Sequence, residues 1–158
     1  MFWLVVIIIA YIVQFSILPH FVGVWLRFDI FLVLTVLIGL LQGMRNGMAL
    51  GLVLGLLHDI AIGSSPGFFT GLYLIAGCAA GWFASKIFKG NIFVPLIVII
   101  FWSILEAALL WWRLLYDYGQ GLGQNMVSLC IGNFLLTLLT YYCLRHWLIP
   151  KEYYRLGD

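Results

Sequence analysis

Residues 39–67 read GLLQGMRNGMALGLVLGLLHDIAIGSSPG. Gly39, Gly43, Gly47, Gly51 and Gly55 recur every fourth residue, a spacing that stacks them on one helix face. Gln42, Arg45 and Asn46 interrupt the apolar run. The stretch is therefore either the middle of one long helix over 30–62 or a pair of helices meeting at a polar turn. Which of these holds depends on the surroundings of Arg45, and composition indicates what those are.

The chain has 158 residues, of which 65% are hydrophobic and 9% charged, with a mean hydropathy of +1.11. Soluble domains are about half apolar and about a quarter charged. The composition thus reads as a small polytopic integral membrane protein, one domain over 1–158. It excludes a soluble catalytic domain, a disulfide scaffold and a disordered tail. A formal net charge of +2 supplies no basic patch for nucleic acid. Cys78, Cys130 and Cys143 lie in apolar runs at no metal-ligand spacing and read as small buried hydrophobes.

A bilayer makes the single long helix expensive, because an unpaired arginine at mid-membrane costs at least ~2.5 kcal/mol. Two helices with a turn at the membrane surface avoid that cost. The expected fold is then all-α, a membrane helical bundle of about six spans: 2–18, 30–41, 47–62, 67–83, 92–115 and 126–144. The first reads as a retained span, since it has no basic leader and runs into Pro19-His20 rather than a small-residue cleavage site. The second is short, ~18 Å against a ~30 Å hydrocarbon core, so flanking residues must lengthen it. With the N-terminus inside, cytoplasmic segments hold Arg45, Lys86, Lys89, Arg145, Lys151 and Arg155, and outer loops hold Arg27 and Arg113. That asymmetry follows the positive-inside rule and places both termini in the cytoplasm.

Gly67 and Gly71, then Gly77 and Gly81, repeat the four-residue spacing in the fourth span. Lipid offers apolar helices no net drive to associate, so close backbone approach at small residues must supply it. The third and fourth spans are expected to pack tightly.

Ionisable groups inside a membrane must be paired, hydrated or neutral, and each is a functional candidate. Glu106 lies within the fifth span, with Asn133, Gln14 or a water-filled pocket as candidate partners. Asp59 shares the helical stripe of Gly51 and Gly55. Arg27, Asp29, His58, Asp59, Arg113 and Asp117 are expected near the outer face. They would form an outward-facing pocket, a salt-bridged loop cluster or a partner-binding surface. Catalytic patterns are weak. His58 and Asp59 are adjacent on a helix, and no metal-binding pair exists among His20, His58 and His146. Ser64 and Ser65 lack the strand–turn–helix setting of a nucleophile elbow. An Asp59–Glu106 carboxylate dyad is the one enzymatic arrangement left open. No cofactor, metal or catalytic residue is expected.

The run 51–67, with Gly51, Gly55, Asp59, Gly63 and Gly67, resembles the signature of the rod shape-determining protein MreD family. Arg27-Phe28-Asp29 and the aliphatic run after it resemble the entry to that family's second span, and Glu106 matches its acidic fifth span. Size, six-span layout and a short basic C-terminal tail agree. Two departures stand out: many members have proline where this chain has Phe28, and an aromatic where it has Leu52. The resemblance implies a non-enzymatic partner of the bitopic protein MreC in cell-wall elongation. That machinery links MreB filaments to a RodA-type glycosyltransferase and its penicillin-binding transpeptidase. The location implied is the bacterial cell (inner) membrane. The family is also similar in fold to the substrate-binding (S) components of energy-coupling-factor transporters. An alternative expectation is therefore a transport component that takes a small molecule at Arg27, Asp29, Asp59 and Arg113.

Overall fold

Gly43 ends one helix and starts the next. Its backbone, at φ 90° and ψ 174°, is a conformation that L side chains rarely adopt, and it divides the apolar run 30–62 into two helices. A computed structural model describes residues 2–18, 28–63, 67–87, 93–117 and 123–148. Among them the architecture is all-α, with six helices. Helix α1 spans Phe2–Ile12 and continues as a π-helical segment, Val13–Ile17. The others are α2 (Ile30–Gln42), α3 (Met44–Ile62), α4 (Phe68–Ile87), α5 (Phe93–Asp117) and α6 (Gly123–Leu148). The turn between α2 and α3 is a single residue, tighter than the five-residue polar turn that the sequence pattern implies, and Arg45 and Asn46 already belong to α3.

Helix α2 is the centre of the bundle. Every residue from Ile30 to Leu40 is buried, and α3, α4, α5 and α6 all pack against it. A helix apolar on all sides has no stripe for solvent and must be enclosed. This explains its length: 13 residues rise ~20 Å, and a helix wrapped by its neighbours need not itself match a bilayer. Met44–Ile62 is, among the described residues, the one helix long and apolar enough to cross a membrane unaided. Shorter apolar helical stretches run over Val5–Ser16, Phe68–Ala84, Val94–Leu110 and Leu129–Tyr142.

Helices α3 and α4 make the most extensive contact in the bundle. A β-carbon on Gly47 would lie 2.6 Å from both the Gly39 Cα and the Gly77 carbonyl oxygen. One on Gly51 would collide with the Tyr73 carbonyl, and one on Gly55 with the Thr70 backbone. Gly77 faces the Gly47 carbonyl in return, and Gly81 faces the Met44 backbone. The expected packing of these two helices is therefore present, with Gly39 of α2 joining it. Gly63, Gly67 and Gly71 are different: among the described residues, a β-carbon on any of them would meet nothing within 4 Å. Gly63, at φ 64°, closes α3 in a left-handed cap, and Gly67, at φ 101°, leads into α4.

Candidate functional site

Asp29, His58, Asp59 and Glu106 are only 2%, 5%, 4% and 2% exposed. The first three meet where α2 begins, α3 ends and α4 begins. The sequence places Asp29 and Asp59 near the outer face, as a pocket, a loop cluster or a partner surface; the structure encloses both, because each has a helix terminus to satisfy.

Asp59 caps the helix that follows its own. Its Oδ2 accepts hydrogen bonds from the Gly67 N–H (2.9 Å), the Thr70 N–H (3.1 Å) and the Thr70 hydroxyl (2.6 Å). Its Oδ1 accepts from the Phe69 N–H (3.0 Å). A helix N-terminus exposes unsatisfied N–H groups and a partial positive charge, and a carboxylate answers both. The Asp59 carbonyl also accepts from the Gly63 N–H (3.1 Å). One residue thus ends α3 and starts α4, and both its carboxylate oxygens are occupied.

Asp29 performs the same task for α2. Its Oδ1 accepts from the Leu32 N–H (3.0 Å), an N-cap with extended backbone. Gln14, in the π-helical part of α1, clamps this entry on both sides. Its Nε2 donates to the Phe28 carbonyl (3.0 Å) and its Oε1 accepts from the Ile30 N–H (2.9 Å). Asn133 of α6 reaches in from across the bundle. Its Oδ1 accepts from the Asp29 N–H (2.7 Å) while its Nδ2 donates to Ser103 Oγ on α5 (2.9 Å). Helices α1, α5 and α6 therefore converge on the start of α2. Glu106, one turn beyond Ser103, is buried in α5.

The remaining oxygen of Asp29 accepts a hydrogen bond from the Tyr73 hydroxyl, which also lies 2.5 Å from His58 Nδ1. His58 sits in an aromatic box. Its ring stacks on Phe69 at 4.0 Å and 1°, and meets Phe15 and Phe31 at 5.5 and 5.7 Å in near-perpendicular geometry. Tyr73 completes the enclosure at 5.6 Å. The arrangement can hold and pass a proton. Among the described residues, no three His, Cys, Asp or Glu side chains are grouped to hold a metal ion.

Of the residues expected at the outer face, Asp29, His58 and Asp59 come together. Arg27 lies outside the described residues, as do the side chains of Arg113 and Asp117. Sequence reasoning missed Tyr73, Phe69, Thr70 and Phe15. Tyr73 left one signal: a tyrosine deep in an apolar helix must find a partner for its hydroxyl. No family model, no curated protein and no solved structure matches this chain.

Proposed function

We propose that the chain is a multi-pass protein of the bacterial inner membrane and a non-enzymatic scaffold of the MreD type. The membrane part of this reading is supported by an inside-out distribution of polarity. The acids Asp29, Asp59 and Glu106 are buried, as are Thr35, Ser103, Asn133 and Thr137. The surface carries large apolar side chains at helical spacing: Val53, Leu56 and Ile60 on α3, Ile97, Phe101 and Ile104 on α5, and Ile131, Leu135 and Leu139 on α6. Such stripes cost free energy in water and none in lipid. Among the described side chains, Arg45 is the exposed charged one; it stands at the α2–α3 turn, where the charge asymmetry puts the cytoplasm. Both termini then lie in the cytoplasm.

The scaffold part is carried by the 51–67 signature. All five of its marked residues maintain one helical hairpin: Gly51 and Gly55 by backbone approach, Asp59 by capping, Gly63 and Gly67 by turning the chain. A site built for holding shape suits a partner of MreC, connected through it to MreB, the RodA-type glycosyltransferase and the penicillin-binding transpeptidase. The transport reading relies on the same acids, yet Asp59 and Asp29 are engaged by protein N–H groups and Tyr73. The enzymatic dyad likewise requires an Asp59 carboxylate that α4 already occupies.

Depletion in the host tests the proposal. Rod-shaped cells should round or swell, and a pull-down from native membrane should recover MreC. Normal rods after complete loss, or recovery of an ATPase module with a co-purifying metabolite, would overturn it.

A further inference from the structure

The link from Asp29 through Tyr73 to His58 is needed by neither the helix caps nor the glycine contacts. Three titratable side chains are joined through one hydroxyl, which has a single proton and two partners. The chain can be polarised in two ways. When Tyr73 donates to the Asp29 carboxylate, His58 Nδ1 carries hydrogen and donates to the Tyr73 oxygen. When Asp29 is a neutral acid and donates to that oxygen, Tyr73 donates to a bare Nδ1 and the imidazole hydrogen sits on Nε2. The second arrangement holds one proton more than the first.

We propose that His58, Tyr73 and Asp29 form a buried proton-binding relay, loaded at His58 Nε2 and discharging onto Asp29. A proton arriving at Nε2 makes an imidazolium. The Nδ1–H bond then breaks as its proton passes to the Tyr73 oxygen, and the Tyr73 proton passes to Asp29 Oδ2. The result is neutral His58 with hydrogen on Nε2, an intact Tyr73 hydroxyl and a neutral Asp29 acid, with one proton gained and no redox change.

The surroundings fit each stage. The stacked Phe69 face suits a transient cation. The other buried acids among the described residues are Asp59 on α3 and Glu106 on α5. Gln14 of α1 and Asn133 of α6 contribute uncharged amides. Discharge has a mechanical consequence: a neutral Asp29 loses the charge that favours it at the start of α2. Proton occupancy is thereby coupled to the N-terminal cap of the central helix.

The test uses the full chain with 15N-labelled histidine in lipid nanodiscs, titrated across pH. The His58 tautomer is read by nitrogen NMR, and the Asp29 acid by its carbonyl stretch in infrared difference spectra. His58→Gln and Asp29→Asn assign the two signals. In the parent protein both signals should change at one midpoint. In Tyr73→Phe the two midpoints should separate by about one pH unit or more. Unchanged midpoints in Tyr73→Phe would overturn the relay. So would a parent protein lacking either a tautomer change at His58 or an acid band that Asp29→Asn removes, a result that requires no folded variant of Tyr73. Neither outcome depends on whether the chain serves as a scaffold.

Discussion

Helix α3 meets α4 through backbone, whereas the start of α2 is tied to α6, and α6 to α5, through polar side chains. In the first contact a carbonyl of one helix fills the space that a β-carbon would need on the other, or its backbone does, at Gly47, Gly51, Gly55, Gly77 and Gly81. In the second, Asn133 bridges the Asp29 N–H and Ser103 Oγ. The two fail in different ways. A backbone contact cannot yield to an added methyl group, because the atoms it meets belong to rigid helices. An amide bridge tolerates added volume better, but removing one member leaves a buried donor or acceptor unsatisfied.

Five substitutions sharpen this contrast, each read by thermal or denaturant unfolding in detergent together with size-exclusion homogeneity. Gly55→Leu should have the largest effect, forcing α3 and α4 apart at the Thr70 backbone with a loss of about 3 kcal/mol or more. Retention of parent stability would show that the two helices do not touch there. Asp59→Ala should follow at about 2–3 kcal/mol, since it strips hydrogen bonds from three N–H groups and the Thr70 hydroxyl. Asp59→Asn should lose less, as one oxygen still accepts while the new amide faces an N–H.

Asn133→Ala should cost about 1–2 kcal/mol by orphaning the Asp29 N–H. Its effect should be additive with that of Gly55→Leu if the two contacts are independent. Gly71→Ala should be the mildest change. It lies on the same helix as Gly77 but faces open space, so the variant should gain roughly 0.5–1 kcal/mol from helix propensity. A loss at Gly71 comparable to that at Gly55 would mean that a neighbour covers it.

The glycine stripe was legible because period four on a helix is a local property, and small residues on that line have one efficient use in an apolar chain. The break at Gly43 was legible from Arg45 and Asn46 beside it. The same pattern misplaced Gly67 and Gly71 in role. Spacing places Gly71 four residues after Gly67, yet only packing reveals that, among the described residues, no helix comes to meet it. Asp59 was singled out for its position on the stripe, but its task was hidden. A carboxylate eleven residues before Thr70 becomes a cap only after the chain beyond α3 folds α4 back.

Composition, helical periodicity and the distribution of basic residues were sufficient to establish an all-α chain, its approximate helices and the hairpin of glycines. These depend on near neighbours and on the energetic cost of polar atoms among apolar ones. Only the tertiary structure joined Asp29 to Asn133 across 104 residues, set Tyr73 between Asp29 and His58, and turned the acids inward. The physical reason is that periodicity assigns residues to a face, whereas which faces meet is decided by the simultaneous packing of the other helices around α2.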